Sequence, residues 1–225
     1  MSGDGVRIRH IADADWDAIT AMESRAYTEL GLTEGRAVLR ARADASPETC
    51  FVLDVGSEPA GYVLALPYPP FRYPDLERAE EPAVVAPDPP RNLHLHDIVV
   101  AERQRGRGLG QRLLTHLTRT AGARGFERIS LVAVGRSEPF WSKRGFTAYP
   151  GISPGGYGAN AVYMSRPHAP DMQDSGVQDQ QDPGVQDQQD RGVQDPGVQD
   201  PGLYDRGVHV RDRHVQGGGR AYEAS

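Results

Sequence analysis

Apolar and polar positions alternate early in the chain: Val6-Arg7-Ile8-Arg9-His10 changes character at each step as far as Arg9 and predicts a β-strand. Asp13 then offers an N-cap to a helix whose apolar side holds Trp16, Ile19 and Met22, with Tyr27 near its end. A second helical stretch after Thr33 carries Ala37, Val38 and Ala41. It stops before Ser46-Pro47, because the residue ahead of a proline avoids the helical region. Two apolar runs, residues 49–55 and 60–67, flank Gly56-Ser57-Glu58-Pro59 and predict a β-hairpin.

Residues 67–90 hold eight prolines together with Tyr68, Phe71 and Tyr73, so neither a helix nor an interior strand can persist there. A loop of that length is either a cover over a binding site or a tolerated surface insertion. Residues 93–100 predict the next strand. Residues 109–124 predict a helix with Leu109, Leu113, Leu114 and Leu117 on one side and Gly125 as its C-cap. Strands at 128–134, 146–149 and 161–165 and a short helix at 139–144 complete an α/β fold, a mixed sheet covered by a few helices.

After Pro167 the pattern vanishes. Gly-Val-Gln-Asp recurs at Gly176, Gly184, Gly192 and Gly197, with a degenerate copy at Gly202, and one valine per repeat buries too little surface to offset the entropy of ordering the chain. The expected organisation is a domain at residues 1–167 and a disordered low-complexity tail at 168–225. A calcium-binding β-roll is the alternative for the tail, although the glycine-rich nonapeptide pattern is missing.

The mean hydropathy of −0.57 reflects that tail, so the first three quarters can bury a normal core. A formal net charge of −6, with no Lys/Arg run interleaved with aromatics, argues against nucleic acid as a partner. Cys50 is the sole cysteine, which excludes an intramolecular disulfide and a Cys-based zinc site, and its apolar surroundings predict a buried structural thiol. Without a signal-like N-terminus or a membrane-length apolar run, the expected location is cytoplasmic.

The stretch Arg103-Gln104-Arg105-Gly106-Arg107-Gly108-Leu109-Gly110 lies between a predicted strand and an amphipathic helix. Backbone N–H groups at a helix start favour anions, and glycines let the main chain approach a diphosphate closely. It is not a phosphate-binding P-loop, which needs Gly-Lys-Ser/Thr, nor a dinucleotide fingerprint, since position 111 is Gln. The order Arg-x-x-Gly-x-Gly followed by Leu113-Leu114 resembles the pyrophosphate loop of the GNAT superfamily of acyl-CoA-dependent N-acyltransferases. Pro139-Phe140-Trp141 running on to Gly145-Phe146 resembles that superfamily's later element.

The resemblance implies a GNAT-type sheet splayed between the strand at 93–100 and the one near Arg128, with acetyl-CoA as acyl donor in the gap and no metal. It places Ile98, Val99 and Val100 along the pantetheine. Arg103, Gln104, Arg105, Gly106, Arg107, Gly108, Leu109, Gly110 and Gln111 would surround the diphosphate, and Phe140 and Trp141 would line the channel.

The acceptor amine must lose a proton before it attacks, which calls for a base. His94 and His96 alternate along one strand, so their side chains share a face and Asp97 takes the other. That pattern also describes an ordinary solvent-facing strand. The His-x-His pair is similar to the one in arylalkylamine N-acetyltransferases, which implies a water-linked proton relay through His94 and His96. Trp141 stands where that family has a tyrosine, and an indole N–H cannot supply a proton, so Tyr149, Tyr157 or water would protonate the departing thiolate. Tyr27, Tyr68, Phe71, Tyr73 and Tyr157 are candidates for an acceptor pocket. The implied activity is acetyl transfer to a primary amine of a small molecule, and the alternative is a non-catalytic CoA-binding or interaction module acting through the tail. The oligomeric state is open, a homodimer included.

Overall fold

The structure, a computed structural model, describes residues 5–76 and 90–168. Among these, seven strands form one sheet ordered β1-β2-β3-β4-β5-β7-β6. They are β1 Val6–His10, β2 Phe51–Val55, β3 Glu58–Pro67, β4 Asn92–Val100, β5 Arg128–Ala133, β6 Thr147–Ala148 and β7 Val162–Pro167. The helices are α1 Trp16–Tyr27, α2 Arg36–Ala45, α3 Leu109–Ala123 and α4 Glu138–Ser142. Every strand pair is antiparallel except β4–β5.

Central position explains the sequences of β3 and β4. Both faces of these strands are covered, so they read as near-continuous buried runs rather than as alternation. On one face, Leu109, Leu113, Leu114, Leu117 and Ala121 of α3 pack against Leu93, Leu95, Ile98 and Val100 of β4. On the other, Trp16, Ile19 and Met22 of α1 and Leu39 and Ala43 of α2 pack against Val52, Tyr62, Leu64 and Val99. Leu113 is fully enclosed, and its truncation to alanine is expected to cost about 2–5 kcal/mol.

The register between β3 and β4 is broken at one point: Leu64 faces Asp97, but Ala65 faces Leu95, leaving His96 as an extra residue on β4. A β-bulge of this kind resets the in/out alternation. Leu93 and Leu95 belong to the α3-side core, and so does Ile98, three residues further on. The expectation that Asp97 opposes the two histidines is therefore overturned. Asp97 bonds Tyr27 and Tyr62 on the α1/α2 side, the side on which His96 meets Glu34.

Other local expectations are also corrected. Asp13 is not the cap of α1. A 3-10 turn, Asp13–Asp15, precedes the helix, and Asp15 accepts the Ala12 amide at 2.7 Å because Arg9, at 2.6 Å, holds it inward. In α2 the buried positions are Leu39, Arg42 and Ala43, and Ala37 is exposed, since Arg42 buries itself in an ion pair. The hairpin turn is shorter than expected, Gly56-Ser57, with Glu58 and Pro59 already in β3. Cys50 is buried, and burial pushes its thiol up to about 12. The repeat tail lies outside the described residues, as do residues 77–89 of the proline-rich loop. Among the described residues no helix is long and apolar enough to cross a membrane.

Candidate active site

The two parallel strands part company at the middle of the sheet. β4 pairs with β5 only from Asn92↔Arg128 to Leu95↔Leu131, after which β4 continues to Val100 bonded to β3 alone. The widening gap is lined by Leu95, His96, Asp97 and Ile98 of β4, and by Leu131, Val132 and Val134 in and after β5. Glu23 and Tyr27 of α1, Leu32 and Glu34 from the α1–α2 connection, Trp141 of α4, Tyr157 and Leu76 close it in.

A buried polar network occupies the α1/α2 side of this cleft. The fully enclosed Arg42 donates to Glu34 Oε2 through Nε (2.9 Å) and Nη2 (2.7 Å), and Glu34 Oε1 lies 2.5 Å from His96 Nε2. Burial pushes the Glu34 carboxyl up, but the His96 bond and the nearby His96 and Arg42 charges outweigh it and hold the carboxyl below its ordinary value. His96 is 3% exposed at its side chain, and its Nδ1 has no hydrogen-bond partner among the described residues. With Nε2–H held by a carboxylate, a neutral imidazole presents a bare lone pair at Nδ1. Arg42 also donates to the Asp75 carbonyl at 2.6 Å, which ties the start of the proline-rich loop to this network.

Asp97 accepts from Tyr27 Oη at 2.6 Å and from Tyr62 Oη, and burial raises its pKa against the pull of those two bonds. Glu23 is 2% exposed and accepts the Glu34 amide at 2.6 Å. Burial pushes its carboxyl up to about 7, with the Asp97 and Glu34 charges adding to the effect. His94 lies deeper. Its Nδ1 is 3.0 Å from Ser130 Oγ and its ring 6.5 Å from that of His96, and burial above all holds its pKa well below the histidine norm.

The glycine loop sits past the end of β4. Gly106 and Gly108 adopt φ +75° and +70°, which only glycine takes up without strain, and Gly108 caps α3. Nothing lies within 4 Å of where a Cβ would stand at either residue. The amides of Gly106, Gly108, Leu109 and Gly110 donate to no acceptor among the described residues. The hollow over this loop is bordered by Val100, Gln104, Arg105, Gln111, Phe140 and Arg144, whose guanidinium stacks 3.4 Å from the centre of the Phe140 ring.

Thus Ile98 and Trp141 line the cleft, and Val100, Gln104, Arg105, Gly106, Gly108, Leu109, Gly110, Gln111 and Phe140 line the hollow. Arg103, Arg107 and Val99 line neither; Arg107 bonds Gln104 and Val99 packs under α1. Of the candidate acceptor residues, Tyr27 and Tyr157 line the cleft. Tyr68 lies against His94, while Phe71 and Tyr149 form an aromatic group with Tyr163 away from it. Sequence reasoning passed over Glu23, Glu34, Arg42 and Arg144.

In fold, the chain is similar to Ard1 from Thermoplasma volcanium (TM-score 0.56, 18% identity, covering 73% of this chain and 98% of that one). It is also similar to Arabidopsis thaliana Naa50 in complex with the bisubstrate analogue CoA-Ac-MVNAL (0.53, 16%, 72% and 97%). A third likeness is to Neisseria gonorrhoeae N-acetylglutamate synthase complexed with coenzyme A and N-acetyl-glutamate (0.56, 18%, 75% of this chain but 36% of that one). No curated protein matches by sequence. The sequence does match the acetyltransferase (GNAT) family over residues 16–146, more than half of its length, and the parted strands lie within that span. The chain therefore belongs to the GNAT family and is an acyltransferase.

Proposed function

We propose that the protein transfers the acetyl group of acetyl-CoA to a primary amine of a small molecule, by direct attack within the cleft. The observation that carries this reading is the separation of β4 from β5 beyond Leu95, which leaves the strand edge from His96 to Val100 without a partner strand on that side, next to the open glycine loop. The pantetheine runs along Ile98 to Val100. The diphosphate meets the amides of residues 106–110 at the N-terminus of α3, with Arg105 and Arg144 at its border. Phe140 and Trp141 line the passage between the two.

The amine nitrogen attacks the thioester carbonyl carbon, whose developing oxyanion the strand amides stabilise. The C–S bond then breaks and the thiolate leaves. The proton shed by the ammonium goes to Nδ1 of His96, a buried nitrogen with no protein partner among the described residues, while Glu34 fixes the tautomer through Nε2 and stabilises the imidazolium. Burial keeps His94 neutral and its ring lies 6.5 Å from that of His96, so it joins the relay through water rather than as a second carrier of charge. With Trp141 in place of an acid, Tyr157 or water reprotonates the thiolate, which is a fair leaving group in any case.

Calorimetric titration with acetyl-CoA, combined with a thiol-release assay over a panel of amines, tests the reading. Binding with turnover is the expected result. Binding without turnover on any amine would indicate a non-catalytic CoA module instead.

A further inference from the structure

The cleft carries an unusual charge balance. Glu23, Glu34 and Asp97 all line it, and among the described residues no lysine or arginine does. Two of these carboxylates already have partners: Glu34 has Arg42 and His96, and Asp97 has Tyr27 and Tyr62. Glu23 has only the Glu34 amide among the described residues, although it is 2% exposed. A buried carboxylate of that kind lacks a counter-charge. The same cleft is lined by His96, whose buried Nδ1 has no partner among the described residues. Apart from Ser137 the remaining walls are apolar or aromatic, Leu32, Leu76, Ile98, Trp141 and Tyr157 among them.

From this arrangement we infer that the acceptor is a small amine cation with an apolar body and no carboxylate on the amine-bearing carbon, and that Glu23 is its counter-ion. The inference rests on the acetyltransferase reading and narrows it. An ammonium ion supplies the charge that Glu23 lacks, and its nitrogen comes within the reach of the polar cluster where His96 sits. An α-amino acid would bring its own carboxylate beside Glu23 and Asp97, with Arg42 already engaged and no other cation among the described residues lining the cleft. Like charges about 5 Å apart in a partly buried site are disfavoured by roughly 100-fold. Loop anchors at both walls, Tyr157 Oη to the Pro74 carbonyl at 2.8 Å and Arg42 to the Asp75 carbonyl, favour a compact body over an extended chain.

Matched pairs isolate the carboxylate: phenethylamine against phenylalanine, tyramine against tyrosine, and isoamylamine against leucine, all at saturating acetyl-CoA with thiol release as the readout. A short peptide with a free N-terminus completes the set, and the acetyl-CoA dissociation constant is measured in parallel. The expected result is a kcat/KM about 100-fold higher for each amine than for its amino-acid twin, with the peptide below the amines. In Glu23→Gln the gap should shrink to about 10-fold or less, chiefly through a higher KM for the amine. Equal or better use of the amino acids overturns the proposal, as does preference for the peptide or a gap that Glu23→Gln leaves intact. Silence across the set with acetyl-CoA still bound also overturns it. If acetyl-CoA fails to bind, the underlying acetyltransferase reading falls instead.

Discussion

Glu23→Gln should make the protein more stable at alkaline pH and leave it unchanged at acid pH. Burial, helped by Asp97 and Glu34, raises the Glu23 carboxyl from its ordinary 4.5 to about 7 in the folded chain. Its folded-state value lies above its unfolded one, so its contribution to stability is intact below pH 4.5 and is lost as the pH rises through 7. A displacement of that size corresponds to about 3 kcal/mol against the charged form, and access of water through the cleft reduces this to roughly 2 kcal/mol. Glutamine has the same shape, retains an oxygen for the Glu34 amide, and carries no charge at any pH. Asp97 and Glu34 titrate in both proteins and largely cancel from the comparison. Urea unfolding at pH 4 should place the two midpoints together. At pH 8 the variant's midpoint should rise by about 1 M with an unchanged slope. A difference between the proteins that is the same at both pH values, or a variant that loses stability at pH 8, would refute the reasoning that Glu23 is a buried acid held without a counter-charge.

The other predictions concern the donor site, the base and its anchor. His96→Gln should lower kcat by about 100-fold or more with acetyl-CoA affinity unchanged, whereas His94→Gln should lose less than about 10-fold; steady-state kinetics alongside calorimetry separates the two. Gly108→Glu puts a side chain on a residue at φ +70° and a negative charge at the proposed diphosphate site, so acetyl-CoA affinity should drop by about 100-fold in a calorimetric titration. Arg42→Met leaves Glu34 buried beside His96 without its guanidinium and should cost about 3–5 kcal/mol in denaturant unfolding. The double variant Arg42→Met/Glu34→Leu should regain much of that loss while remaining inactive.

The elements that apolar patterning dictates were legible in the sequence. The leucine stripe of α3, the alternation of β1 and the runs of β2 and β3 each specify one element, and Gly108 and Gly125 mark the ends of α3. The glycine loop was legible for the same reason, since its residues are consecutive and its backbone demands are local. The acceptor side was not, because its polar groups come from separate segments of the chain and are joined by ion pairs and hydrogen bonds. A partial signal did exist for two residues. Glu23 falls seven residues, two helical turns, after Trp16 and four residues after Ile19, and Arg42 falls three after Leu39, so each puts a charge on an apolar stripe. Helical periodicity treats such a charge as an error in the stripe, although a charge so placed needs a buried partner. Glu34 lies in a connection with no periodicity at all, and only the fold reveals what it binds.

The bulge at His96 is the point at which the backbone and the chemistry meet. Strict alternation would direct Asp97 toward the α3-side core, where Leu95 and Ile98 pack and no hydroxyl pair waits for it. With one residue extra on β4, His96 and Asp97 both face the α1/α2 side, where Glu34, Tyr27 and Tyr62 receive them. Bulges also bend the strand that carries them, and β4 gives up its pairing with β5 immediately before this one, after Leu95. The opening of the cleft and the gathering of its titratable groups therefore share one local cause. A sheet that stayed in register through this point would close the gap and scatter the polar cluster together; period-two reading of β4 put Asp97 on the wrong face, whereas the gap was expected only from the family resemblance.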